Sequence, residues 1–314
     1  VKSLRVAVVL ALIVLLCGWQ SRDSNYNKSV TAGGASYTGP GDVVSGATAW
    51  YGLRAYTAAI AAAATQKLIN IRNIATSETC DVIVATNGGF GNVANCSGSS
   101  SGDTVAVFCA ESSSSCAVTE AYDQTGNGIN ATQATAADQP ALTLSCVGSL
   151  PCMTGTGSAH GWLSSSAMTS ITQPDTISVV AKFTATNQTY VFTTNNGNQF
   201  LSHFTSANKY YCYAGATGLT PTVPDNVLNA VNWTVNNTSS VCNVNGTENS
   251  GTSGSAVTGT FITLMASSNA GAASMVGSFY DGGIWASSFT STQRTNVCEN
   301  QQAYWGAGNF GATC

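Results

Sequence analysis

Charged residues are scarce in this sequence. Lys, Arg, Asp and Glu make up only 8% of its 314 residues, against ~25% in ordinary soluble domains, so Ser, Thr, Asn, Gln, Gly and Ala must cover most of its exterior. The net charge is −4 and the basic residues form no cluster, which removes the electrostatic footprint of a nucleic-acid binder. Histidine is nearly absent, with only His160 and His203, and no Cys-x-x-Cys spacing occurs. A Cys/His zinc site therefore has almost no ligands to draw on, and neither a metal nor a cofactor is expected. The phosphate-cradling Gly-x-x-x-x-Gly-Lys-Ser/Thr loop and the zinc-protease His-Glu-x-x-His pair are missing as well. What remains suits uncharged partners, either glycans or further copies of the same chain.

The apolar run from Val6 to Leu16, preceded by Lys2 and Arg5, has the dimensions of a signal-peptide core and is short for a bilayer span. Residues 1–20 are expected to be a signal peptide or a membrane or lipid anchor, and any membrane attachment is expected to run through them alone. Cys17 stands in a lipobox-like junction in which Leu16 replaces the usual small residue. Residues 21–38 are small, polar and Gly-rich, and read as a flexible linker or an extended arm able to add as a strand to a neighbour. A folded domain is expected over 39–314.

Setting Cys17 aside, ten cysteines remain: Cys80, Cys96, Cys109, Cys116, Cys146, Cys152, Cys212, Cys242, Cys298 and Cys314. An even set of this size without metal-ligand spacing points to disulfides in an oxidising compartment, and so to an extracellular or cell-surface protein. Consecutive pairing is the expectation, although spacing alone leaves other connectivities open.

The Ala-rich stretch 47–66 is the one convincing helix candidate. After it, "KLINIRNI" alternates Leu68, Asn70 and Arg72 with Ile69, Ile71 and Asn73, the pattern of a half-buried strand. Short β-branched and aromatic runs between Gly, Asn, Ser and Pro clusters fill the remainder, as in an antiparallel sandwich. In 177–183, Ile177, Val179, Ala181 and Phe183 alternate with Ser178 and Lys182, which predicts one buried face and one wet face. The fold class is all-β, with one short N-terminal helix.

Candidate chemistry is sparse. "GSSSG" (98–102) has the Gly-x-Ser-x-Gly spacing of a nucleophile elbow, but it lies in a low-complexity loop beside Cys96 rather than between a strand and a helix. His160 and His203 read as surface or packing residues. Glycoside hydrolysis needs two carboxylates flanking the bond, and the second half offers Asp281 with Glu248 as a weak pair. The aromatics supply a competing reading, because flat rings beside Asn and Gln side chains bind sugars. Trp233, Tyr211 and Trp285 are the weak candidates for such a platform.

"GPGD" (39–42), "GLRAY" (52–56), "FCAESSSSCAVTEAYDQTGNG" (108–128) and "GSFYDGG" (277–283) occur in an order that resembles the catalytic domain of the α-L-arabinofuranosidase B family, over about residues 39–305. "YDQTGNG" is the most specific element. The resemblance implies a two-sheet, concanavalin-like jelly roll and a Cys109–Cys116 disulfide. In that family the nucleophilic Glu lies in a Cys-Cys-Phe-Asp-Tyr-Gly-Asn-Ala-Glu stretch, and the acid/base Asp lies in a Gly-Gly-Asp-Asn-Ser segment before Phe-Tyr-Glu-Gly. The corresponding segments here, 190–200 and 265–283, contain no acid before Asp281. The resemblance therefore implies the scaffold without both catalytic carboxylates. Within "YDQTGNG", Asp123 and Gln124 can bond back to local backbone while Gly126 and Gly128 permit positive φ, the chemistry of a structural turn.

The sequence thus leads to an exported, non-catalytic, disulfide-stapled sandwich with a structural or glycan-binding role, able to self-assemble. An active arabinofuranosidase-type hydrolase and a phage virion or appendage component are the alternatives.

Overall fold

The computed structural model describes residues 36–314 except 114, 158–159, 167, 185–188, 196, 205–208 and 223. The expected signal or anchor segment and nearly all of the expected arm lie outside the described residues.

A short helix α1 (Pro40–Val43) leads into strand β1 (Ala47–Gly52) and helix α2 (Ala58–Ala63). Next come β2 (Lys67–Asn73), β3 (Thr79–Val84), β4 (Phe90–Ala94), helix α3 (Val105–Ala110), β5 (Cys116–Ala121) and β6 (Ala131–Thr132). They are followed by β7 (Ala141–Val147), β8 (Leu150–Thr156), β9 (Leu163–Ser165), β10 (Asp175–Phe183), β11 (Thr189–Thr194) and β12 (Gln199–Phe204). The chain continues through β13 (Lys209–Tyr213), β14 (Asn229–Val235), β15 (Ser240–Val244), β16 (Thr247–Gly251), β17 (Ile262–Leu264) and β18 (Val276–Trp285), and closes with helix α4 (Ser291–Trp305).

The ladders between these strands are antiparallel and build a two-sheet sandwich. The first sheet runs β16-β15-β14-β10-β18, with β1 on one half of β18 and β8 on the other. The second runs β13-β12-β11-β17-β9-β6-β5-β2-β3-β4. Strands β7 and β8 carry hydrogen bonding from β5 across to β18. Side chains such as Ile69, Ile71, Ile177, Val179, Phe192, Leu201, Tyr210 and Trp233 fill the core between the sheets.

Two expectations about helices are corrected. Residues 47–52 form β1 rather than the start of a helix, because Tyr51 enters the main core while Trp50 packs with Trp285 and Phe289 on the opposite side. Burying large rings on both faces outweighs alanine's helix propensity. Within 47–66 only Ala58–Ala63 is helical, started by Thr57, whose side chain accepts from the Ile60 N–H at 3.2 Å. The long helix is α4, at the other end of the chain. It carries a capping box in which Thr290 and Gln293 each bond the other's backbone N–H.

Helix α4 also removes the expected wet face of β10. Gln301 donates to Ser178 Oγ at 3.0 Å, Asn232 on β14 donates to the Arg294 carbonyl at 3.4 Å, and every β10 side chain except Lys182 is buried. That face is polar yet dry.

Disulfides join consecutive cysteines: Cys80–Cys96, Cys109–Cys116, Cys146–Cys152, Cys212–Cys242 and Cys298–Cys314. Cys212 on β13 and Cys242 on β15 belong to different sheets, so their bond crosses the core. Among the described residues, no helix is long and apolar enough to cross a membrane.

Candidate functional site

The turn built by "YDQTGNG" is a structural element with a longer reach than local backbone. Asp123 Oδ1 accepts from the Thr125 N–H at 3.0 Å, and Oδ2 accepts from the Ile129 N–H at 3.2 Å, which closes the turn. Asp123 Oδ1 also takes the Trp50 N–H at 3.1 Å, while the Gln124 N–H donates to the Trp50 carbonyl at 3.0 Å and Asn127 donates to the Thr48 carbonyl at 2.9 Å. The Gln124 amide accepts from the Tyr56 N–H and donates to the Gly52 and Arg54 carbonyls. Gly126 and Gly128 sit at φ +89° and +72° with nothing within 4 Å of a would-be Cβ, so glycine is needed for the backbone and not for space. The motif caps the outer edge of β1, which would otherwise present unpaired backbone groups.

The proposed acid pair does not assemble. Asp281 and Arg54 are both fully buried and form an ion pair at 2.6 Å. Trp305 Nε1 donates to the same carboxylate at 2.9 Å, Arg54 Nη1 reaches Asn300 at 3.0 Å, and the guanidinium lies 4.9 Å from the Tyr304 ring centroid. Burial drives the Arg54 pKa down, but Asp281 outweighs it and the guanidinium is held above its ordinary value. Glu248 sits on β16, paired with Arg294 at 2.7 Å. Strands β16 and β18 are separated by β15, β14 and β10, four spacings or ~19 Å, whereas glycosidase carboxyls stand ~5–9.5 Å apart. Asp281 locks α4 onto the first sheet and is closed to substrate.

Other candidates also resolve into packing. Trp233 lies in the main core and Trp285 in the smaller cluster with Trp50, both fully buried, so neither offers a platform. The Ser100 hydroxyl of "GSSSG" lies between Glu78 (3.1 Å) and Glu111 (3.0 Å), with no histidine beside it. His160 pairs with Asp138 and His203 with Asp225, each at 2.6 Å, and His203 stacks on Phe183 with centroids 4.9 Å apart.

Of the three candidate platform aromatics, Tyr211 alone faces outward, and the structure places three more rings beside it. Strands β11, β12 and β13 form a meander whose inner side carries Phe192, Leu201, Tyr210 and Cys212 in the core. Alternation sends Tyr190, Phe200, Tyr211 and Tyr213 to the other side, outside every core cluster. Phe200 and Tyr213 are cross-strand partners with rings stacked at 4.7 Å, Tyr211 stacks on Tyr213 at 5.7 Å, and Tyr190 meets Phe200 edge-on at 4.9 Å. Phe200 is buried beneath its neighbours while the three tyrosines are half-buried. Tyr211 Oη accepts from the Gly218 N–H at 3.3 Å, which fixes its ring.

Two hydroxyls lie in the floor of this patch. Ser202 is the cross-strand partner of both Tyr190 and Tyr211, and Thr193 is the partner of Phe200. Both are fully buried, and neither Ser202 Oγ nor Thr193 Oγ1 has a hydrogen-bond partner among the described residues. From Thr193 a polar cross-strand row continues over the same face through Thr263, Ser164, Thr132, Glu120 and Asn70 to Asp81. Burial pushes the Asp81 carboxyl up, but bonds from Asn70, Lys67, Tyr122 and Asn95 prevail and hold it below its ordinary value. With both oxygens already doubly engaged, Asp81 anchors the far end of the row and has no lone pair to offer a reacting water.

No protein-family model matches the sequence, and no curated protein matches it. Solved structures do share the fold. A variant of a GH54 α-L-arabinofuranosidase soaked with 4-nitrophenyl α-L-arabinofuranoside superposes with a TM-score of 0.61 at 13% identity, covering 83% of this chain and 65% of that one. An arabinofuranosidase complexed with arabinofuranosyl-α-1,2-xylobiose gives 0.59 at 13% identity, covering 83% and 64%. The chain thus spans just under two thirds of these enzymes' length. At this identity the likeness establishes a shared all-β sandwich scaffold.

Proposed function

We propose that this chain is an exported, non-catalytic β-sandwich that binds glycans through the aromatic face of β11–β13. The observation that carries the reading is the cluster of Tyr190, Tyr211 and Tyr213 packed around Phe200 on the outer side of the meander. Aromatic faces take the apolar side of a sugar ring, and the phenolic hydroxyls at the ring rims supply polar contacts that a flat hydrocarbon ligand would not use. The scaffold is compatible, since the arabinofuranosidases that share it are seen with arabinofuranosyl ligands. The acid-free character of segments 190–200 and 265–280 supports binding without hydrolysis, because an amide can neither protonate the leaving oxygen nor form the glycosyl ester of the usual carboxylate mechanism.

Affinity electrophoresis of the full chain in gels containing soluble polysaccharides tests this. The wild-type protein is expected to be retarded by at least one of them, and a Tyr211→Ala/Tyr213→Ala variant with unchanged thermal stability is expected to run free. Equal retardation of both proteins would move the site elsewhere.

A further inference from the structure

We infer that the aromatic face is built for a glycan carrying carboxylate groups, with Lys209 as the residue that reads the charge; this rests on the glycan-binding reading above. Lys209 opens β13 and, by strand alternation, projects on the same side as Tyr211 and Tyr213, with its Cα two residues or ~7 Å from that of Tyr211. It is half-buried, and among the described residues it has no carboxylate partner, whereas Arg54, Lys67 and Arg294 are each paired with an acid.

The surroundings make that charge count. Strands β11, β12 and β13 contain no Asp or Glu, although acids outnumber bases fourteen to ten over the whole chain. Along the cross-strand row the first carboxylate on this face is Glu120 on β5, five strands from β12, or ~24 Å along the sheet. That exceeds the ~8 Å Debye length at physiological ionic strength. The nearer carboxylate is Asp225, which lies against the inner side of these strands and is paired with His203, so among the described residues the outer side carries the Lys209 ammonium and no acid of its own. An ammonium beside stacked rings and buried hydroxyls matches a sugar ring that bears a carboxylate, such as a uronic acid. A wholly neutral glycan lying over Lys209 would cover the ammonium without supplying a counter-charge.

Polygalacturonate and its fully methyl-esterified form present the same backbone with and without charge, and neutral arabinan gives a third probe. Dissociation constants measured for the wild-type chain, Lys209→Gln, Lys209→Arg and Tyr211→Ala/Tyr213→Ala test the assignment. The expected result is binding of polygalacturonate ~2- to 5-fold tighter than of the ester, the gain typical of one partly exposed charge pair. That preference should vanish in Lys209→Gln, return in Lys209→Arg and weaken in 0.5 M salt, whereas the tyrosine variant should lose both polymers. Equal affinity for acid and ester, or an unchanged preference in Lys209→Gln, would overturn the assignment. Tyrosine-dependent binding of arabinan alone would overturn it while leaving the glycan-binding face standing. Absence of binding to every probe would remove both.

Discussion

Asp175 opens β10 in the interior of the sandwich, fully buried, and its chemistry sets a measurable pH dependence. Gln199 Nε2 donates to its Oδ1 at 3.1 Å, and Oδ2 has no partner among the described residues. Burial drives the carboxyl from its ordinary 3.8 up to about 7, with only the Gln199 bond opposing. A folded-state pKa above the unfolded one means that the folded state holds the proton more tightly. The associated stability is complete below pH 3.8 and is lost as the pH rises through about 7. Each pH unit of difference is worth ~1.4 kcal/mol, so ionisation of Asp175 costs ~4 kcal/mol once the pH exceeds the folded value. Asn in its place keeps the shape and the acceptor for Gln199 and cannot ionise. The difference in melting temperature, Asp175→Asn minus wild type, should therefore climb by roughly 10 °C between pH 4 and pH 8, at ~2–4 °C per kcal/mol for a domain of this size. Differential scanning fluorimetry across that range reads it directly. Two parallel profiles would show instead that Asp175 titrates alike in the folded and unfolded chain.

Asp281→Asn leaves the Arg54 guanidinium buried without its counter-charge and should destabilise the fold by ~3–5 kcal/mol in urea unfolding, without changing glycan affinity per folded molecule. Asp123→Ala removes the cap on β1 and should cost ~3 kcal/mol; the freed edge should also raise the dimer fraction on size-exclusion chromatography. Replacing both Cys212 and Cys242 by Ala opens a crosslink spanning 30 residues, worth ~3–4 kcal/mol by loop-closure entropy, and calorimetry should show the matching loss.

Much of the architecture is legible in the sequence because burial in a sandwich follows period two. "KLINIRNI" gives β2 with Ile69 and Ile71 inward, and the short runs between turn residues give the remaining strands. Helix α4 is hidden because polar residues dominate its sequence and its buried apolar ones, Val297, Cys298 and Trp305, are too sparse to mark a stripe. Its inward face meets the polar outer face of the first sheet, so Gln301 and Arg294 do what Leu would do elsewhere. The capping-box spacing from Thr290 to Gln293 was the available signal. The role of Asp123 is half legible: turn chemistry is local, but its bond to Trp50 joins residues 73 positions apart. Trp233 and Trp285 show why aromatic content cannot by itself locate a platform, since core and platform use the same residues. At Tyr211 the neighbouring Cys212 is the clue, because a cysteine bonded across the core fixes one side of "KYYCY" inward and so sends Tyr211 and Tyr213 out.

Isothermal titration calorimetry reads binding and turnover at the face of β11–β13 in one experiment. The titrant is a soluble polysaccharide carrying neutral furanosyl side chains and uronate units. The wild-type chain should give heats that saturate and return to baseline after each injection, and Tyr211→Ala/Tyr213→Ala should give only heats of dilution. Sustained heat flow after injection would mean hydrolysis, and saturating heats of equal size in the tyrosine variant would mean that the ligand binds elsewhere; either result would contradict binding without turnover at this face.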